Sequence, residues 1–250
     1  DGTGGATVQA CNADSTLAAS LLIVGTSGTN RVEIRPGLNG TNNTFVGIAA
    51  GAGADQTGAE ENTGVGRYAL NGLTTGDGNT AIGRSALEQL TSSDSNTAVG
   101  FRAGVAITSG STYNTLGGYQ SAISVGSSKT YNTTWGAFSG GSMDASYNTF
   151  IGGSAGYYNS TGDSNTAVGM SALEGASSGA FTGNIAIGYR AGRNAAPGAD
   201  YNIVIGYAAD LPTAGGDGQL VIGNLMTGSG LDGSGTKEVA FAEVAKRTPA

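Results

Sequence analysis

The feature that most restricts this chain is a short unit that it repeats. Each copy opens with Asn, at Asn43, Asn62, Asn79, Asn96, Asn114, Asn132, Asn148, Asn165, Asn184 and Asn202, and Gln219 opens the last. Successive openers are 16 to 19 residues apart. Gly stands four residues after each opener and Ala usually seven after it. The unit reads N-T-x-[IV]-G-x-x-A-[GL], followed by a polar turn. A fixed short period marks a solenoid, in which each copy buries its apolar side only by stacking on the next. So few residues leave no room for a helix with two connections, but they hold two or three short strands. The expected fold is all-β: a parallel β-solenoid, β-roll or β-helix, of about eleven 16–19-residue coils with non-repeat, strand-like ends. Coils stacked ~4.8 Å apart would form a rod roughly 50 Å long.

Within the unit, the third residue after the opener is aliphatic: Val46, Val65, Ile82, Val99, Ile151, Val168, Ile187, Ile205 and Ile222. The first is Thr, replaced near the end by Ile185, Ile203 and Leu220. Two positions of strand parity that accept Ile and Leu are expected to face the interior. The residue between them varies (Phe45, Gly64, Ala81, Leu116, Val204), as an outer or intersubunit face would. Stacked openers would form a hydrogen-bonded Asn ladder; alternatively, Asn simply suits the turn before the strand. Gly117 and Trp135 replace the aliphatic residue in adjacent copies, so the indole is expected either to fill the space left by the glycine or to point out at a local bulge. Tyr113, Tyr131 and Tyr147 precede three successive openers. They form either a packed row or an exposed glycan platform.

Three regions follow. Residues 1–36 lie outside the repeat and contain the most apolar run, Leu21-Leu22-Ile23-Val24, then an alternating segment, Arg31–Arg35; both read as strands. Residues 37–226 are the repeat array. Residues 227–250 begin with a Gly/Ser-rich loop over 227–235 and continue into a last strand over Glu238–Val244, which includes Val239 and Phe241. An uncapped solenoid end exposes unpaired backbone groups. The terminal strands are therefore expected either to cap the array or to join neighbouring subunits as an assembly arm.

Gly accounts for 46 of 250 residues, but there is no G-X-Y period and only four Pro, which excludes collagen. The regular Val/Ile positions argue against disorder. Net charge is −7 and the eleven basic residues do not cluster, so nucleic acid is not an expected partner. No apolar run reaches bilayer length, so membrane insertion is not expected. Cys11 is the single cysteine, which rules out an intrachain disulfide. There is no His, which removes the usual general base and the commonest metal ligand. Gly152-Gly153-Ser154-Ala155-Gly156 matches a hydrolase elbow, yet the same repeat phase elsewhere holds Arg102 and Arg190. The chain is expected to be neither an enzyme nor a cofactor carrier. Asp77, Asp94, Asp163, Asp200 and Asp217 stand two residues before openers, either for turn chemistry or as a thin case for calcium. Glycosylation sequons occur at Asn39, Asn42, Asn132 and Asn159.

The NTAIG-x-x-AL and NTAVG-x-x-AG units resemble the head repeats of trimeric autotransporter adhesins and similar repeats in bacteriophage tail fibres. The resemblance covers about three quarters of the chain. It implies a parallel β-roll, often three chains together, displayed at a cell or virion surface for attachment. Two functions are expected from these readings. The first is a structural subunit of an extracellular self-assembling filament, joined to copies of itself by its terminal strands. The second is an adhesin or tail-fibre segment binding surface glycans. Ice binding by regular Thr rows ranks below both, because those Thr are expected to point inward.

Overall fold

The computed structural model describes residues 42–53, 58–124, 126–175 and 178–223 with their side chains. It also describes the backbone of five terminal strands: β1 (Thr7–Ala10), β2 (Leu21–Val24), β3 (Arg31–Pro36), β15 (Met226–Ser229) and β16 (Glu238–Phe241). Between them lie eleven three-residue strands, from β4 (Thr44–Val46) to β14 (Leu220–Ile222). These pair in parallel, each opener's successor beside the next: Thr63 on Thr80, Thr80 on Thr97, Ile185 on Ile203. The fold is a β-solenoid with one flat parallel sheet running its length.

Two or three strands per coil are expected from the sequence, but among the described residues each coil has one. The cause lies in the backbone after the strand. The sixth residue after the opener is left-handed in coil after coil, as at Arg102 (φ 56), Gln120 (φ 52) and Ser154 (φ 56). The eighth repeats this at Leu70, Leu87 and Leu173. Alternating left-handed residues prevent an extended run, so the remainder of each coil is a series of turns. The glycine that ends the strand is required twice over. At Gly100, φ is +138, and an added Cβ would lie 2.4 Å from the carbonyl oxygen of Gly118 in the next coil.

The interior is opposite in parity to the expectation. The middle residue of each strand points in: Phe45, Ala81, Ala98, Leu116, Phe150 and Ala186 are all buried. The aliphatic residues expected in the core face outward instead. Val65, Ile82, Ile151, Ile187 and Ile205 are 36% to 43% exposed, and Val46, Val99, Val168 and Ile222 are half-buried. The physical reason is space. The strand packs on the turns beneath it, and five of the eleven coils leave room there only for Ala or Gly, at Gly64, Ala81, Ala98, Ala167 and Ala186. In several coils the middle position exchanges volume with the [GL] position. Phe45 sits where Gly51 has no side chain: a Cβ there would lie 2.6 Å from the ring. Phe150 meets Gly156 at the same 2.6 Å. Gly64 and Ala81 are matched by Leu70 and Leu87, all four buried. A further buried column lies eleven residues after the opener: Leu73, Leu90, Ile107 and Met143.

The Asn openers stand in file, buried, and the ladder is continuous. Each Oδ1 accepts the backbone N–H of the next opener, at 2.8 Å for Asn62 on Asn43 and 3.0 Å for Asn96 on Asn79. The same oxygen accepts the next opener's Nδ2 at 3.1 Å in both pairs. Nδ2 also fastens the loop that closes its own coil: Asn79 donates to Ser93 O at 2.7 Å and Asn96 to Ser111 O at 2.7 Å. Asn is needed because one short side chain must supply a double acceptor and two donors. Gln219 donates the last ladder N–H to Asn202 Oδ1, then turns its longer amide onto Thr213 and Gly216 of the loop before it. It is the natural terminator of the ladder.

The termini continue the sheet. The β1, β2 and β3 strands are antiparallel, and β3 pairs with β4 through Ile34 opposite Val46. At the other end β14 pairs with β15 and β15 with β16, both antiparallel. The strand at Met226–Ser229 falls where the composition suggests the start of a loop. The arm residues Leu21, Leu22, Ile23, Val24, Val239 and Phe241 therefore lie in strands that pair within their own chain. Their side chains lie outside the described residues.

Candidate functional site

Two surface features stand out. The first is the outer face of the sheet. One row is Thr in eight successive strands and then Ile185, Ile203 and Leu220; the other is the Val/Ile row. No outward position of the eleven strands carries a charge. With the strands ~4.8 Å apart and the rows ~7 Å apart, the eleven strands present an uncharged strip of roughly 370 Å². The Thr side chains point outward, which corrects the inward placement on which ice binding is ranked low.

Trp135 and Gly117 compensate for one another, but on this outer face. A Cβ at Gly117 would lie 2.3 Å from the indole, so Trp135 lies across the glycine and fills its gap in the row. Beside the strip, Tyr113, Tyr131 and Tyr147 stack with centroids 5.0 and 5.6 Å apart and planes within 16°. Both faces of the Tyr131 ring are covered by its neighbours. A sugar stacks on a free ring face, which Tyr131 lacks; the three rings are stacked on each other and still more than half exposed. On the other side of the strip, Phe101 stacks on Tyr119 and Tyr189 on Tyr207, at 5.4 and 5.1 Å.

The second feature is a polar groove of about 550 Å³ on the turn side of the later coils. Tyr158, Glu174, Arg190, Arg193 and Asp210 bound it, and Gly175 and Ala208 project too little to fill it. Arg193 Nε is 3.1 Å from Glu174 Oε2. Asn194 is held by Leu211, its amide donating to the carbonyl and accepting the N–H, both at 2.9 Å. A smaller recess of about 260 Å³, with Phe138, Ser154 and Tyr157, shares Tyr158 and Glu174 with it. Neither the repeat phase nor composition marks these residues in the sequence. They converge only when successive turns are stacked.

The turn aspartates form a second ladder of opposite polarity. Asp77 Oδ1 accepts Glu60 N at 2.7 Å, Asp94 accepts Asp77 N at 2.9 Å, and Asp217 accepts Asp200 N at 2.9 Å. Each carboxylate caps a backbone N–H of the preceding coil, the turn chemistry of the two alternatives. Among the described residues no three acidic, Cys or His side chains gather as a metal group. Among those same residues no helix is long and apolar enough to cross a membrane. The sequon residues Asn132 and Asn159 are fully buried and hydrogen-bonded, so the folded chain offers neither for glycosylation.

No family model, no curated protein and no solved structure matches this chain.

Proposed function

We propose that this protein is a structural subunit of an extracellular fibre, built from copies of itself. The observation that carries this reading is the uncharged Thr/Val/Ile face along all eleven coils, which a single chain leaves in water. A second copy is the fitting occupant. A face with neither charge nor a strongly polar group offers little to a chemically distinct partner, but it is complementary to itself. The strip alone is smaller than the ~800 Å² per partner of a standard interface. Exposed aromatic rows flank it on both sides and add to the face a second copy could cover. Lengthwise growth is supported by the sheet ends: among the described residues β1 and β16 are the outermost strands, and an outer strand edge is suited to strand addition. The terminal strands cap their own solenoid and present new edges beyond it. The repeat resemblance and the low charge content fit display outside a cell. The role is non-catalytic.

The test is molecular mass in solution, with negative-stain images of the same sample. A particle mass at a multiple of 24.4 kDa is expected, with rods lengthening as concentration rises. Ile82→Lys combined with Ile151→Lys should return the protein to single-chain width with an unchanged β spectrum. A wild-type protein that stays at single-chain mass across the concentration range would overturn the proposal. Surface attachment is the second reading, and the polar groove is what favours it.

A further inference from the structure

We propose that the groove between Tyr158 and Asp210 binds an acidic oligosaccharide, with Arg190 receiving the sugar's anionic group. The groove crosses four coils along the solenoid axis, from Tyr158 through Glu174 and Arg193 to Asp210. At ~4.8 Å per coil it extends about 15 Å, and the adjoining recess adds one coil more. That length suits a linear saccharide of three or four units.

The lining suits a sugar better than a peptide. Among the described residues Ala208 is the only aliphatic side chain in it, so they offer no apolar pocket to anchor a peptide side chain. Its polar groups are planar and mixed in character: carboxylates on Glu174 and Asp210, guanidinium groups on Arg190 and Arg193. Such groups pair with neighbouring hydroxyls in two-point contacts. Tyr158 supplies an aromatic ring for the carbon face of a pyranose. It is held edge-to-face against Tyr157 at 4.8 Å and 88°.

Most of the groove is already fixed before a ligand arrives. Arg193 is tied to Glu174. Asp210 Oδ1 accepts Asn194 N at 3.3 Å, and Asn194 is tied to Leu211. Walls held in this way lose little freedom on binding. Arg190 differs. Its guanidinium lies 5.0 Å over the Tyr189 ring, and among the described residues it has no carboxylate partner. A cation that is oriented but unpaired, in a chain of net charge −7, is the group that selects an anion. Of the two carboxylates in the groove, Glu174 is paired with Arg193 and Asp210 accepts Asn194 N; repulsion from carboxylates farther than roughly 8 Å is screened at physiological salt.

The whole groove lies within one chain, so the proposal does not depend on fibre assembly. The experiment is a glycan array carrying neutral, sialylated, uronate-containing and sulfated saccharides, followed by calorimetric titration of those retained. Binding restricted to acidic glycans, and weakening with added salt, is expected. Arg190→Ala and Tyr158→Ala should each weaken it at least tenfold, while Tyr113→Ala and the Ile82→Lys/Ile151→Lys variant should leave it unchanged. Failure to bind any acidic glycan would overturn the proposal. So would equal binding of neutral ones, or undiminished binding by the folded Arg190→Ala variant. Loss of assembly with retained binding would count against the fibre alone.

Discussion

Asn96→Asp is expected to destabilise the solenoid by about 4 kcal/mol, a large part of the stability of a domain this size. The change is nearly isosteric, so packing is preserved and only the hydrogen-bonding character is altered. The carboxylate would still accept Asn114 N, now at 3.1 Å. It would lose the donors that Nδ2 offers to Asn79 Oδ1, Asp94 O and Ser111 O, at 3.1, 3.0 and 2.7 Å. Three oxygens would then face a buried negative charge without a proton between them, the costliest kind of polar burial. The sign of the pH dependence follows. Burial among oxygens holds the new carboxyl above its unfolded pKa, so the folded state binds the proton more tightly. The variant should therefore be least unstable in acid and lose stability as pH rises through the folded-state pKa. Denaturant titrations of both proteins at several pH values check this. Because each coil contacts only its neighbours, damage at this rung should also divide the array, giving a broader transition than that of the wild type.

Ala98→Asp and Val99→Asp are adjacent substitutions with opposite expected outcomes. Ala98 is fully buried in the strand centre, and at Gly104 of the same coil even an added Cβ would meet Leu116, Leu87 and Ile107 within 3.2 Å. A carboxylate there has neither space nor partner, and a loss above about 4 kcal/mol is expected. Val99 faces out of the same strand and is half-buried. Its replacement should cost less than about 1 kcal/mol and leave the β spectrum intact. Thermal melts of the two variants decide the parity of the sheet. A stable Ala98→Asp beside an unfolded Val99→Asp would restore the parity expected from hydrophobicity alone.

The period, the short strand and the glycine after it were legible because each depends on spacing and backbone conformation. The ladder was half-legible. The openers recur at one phase, but recurrence does not separate a side chain bonded along the axis from one that shapes its own turn. Bonds such as Asn96 to Asn79 and to Ser111 make that separation. Parity is not legible at Ile82 and Ile187. Hydrophobicity points them inward because size and apolarity usually go together in a core. In so thin a coil they part: Ala81 and Ala186 are inside because they are small, and the larger aliphatics are left for an outer face. The same narrowness explains the freely varying middle position, since Phe45 and Phe150 are admitted only where Gly51 and Gly156 give way. The groove had no periodic signal. Tyr158, Glu174, Arg193 and Asp210 fall at shifting offsets within their copies, and only stacking of the turns brings them together.

Side-chain amide hydrogen exchange, followed by NMR, tests the central claim most directly, because the Asn file lies inside each coil and is unaffected by assembly. The Nδ2 protons of Asn62, Asn79, Asn96, Asn114, Asn132 and Asn148 each have a partner on a neighbouring rung. They should exchange slowly and together, while the exposed Asn42 exchanges at the rate of free amide. Exchange of the ladder amides at the same rate as Asn42 would contradict the stacked-coil architecture.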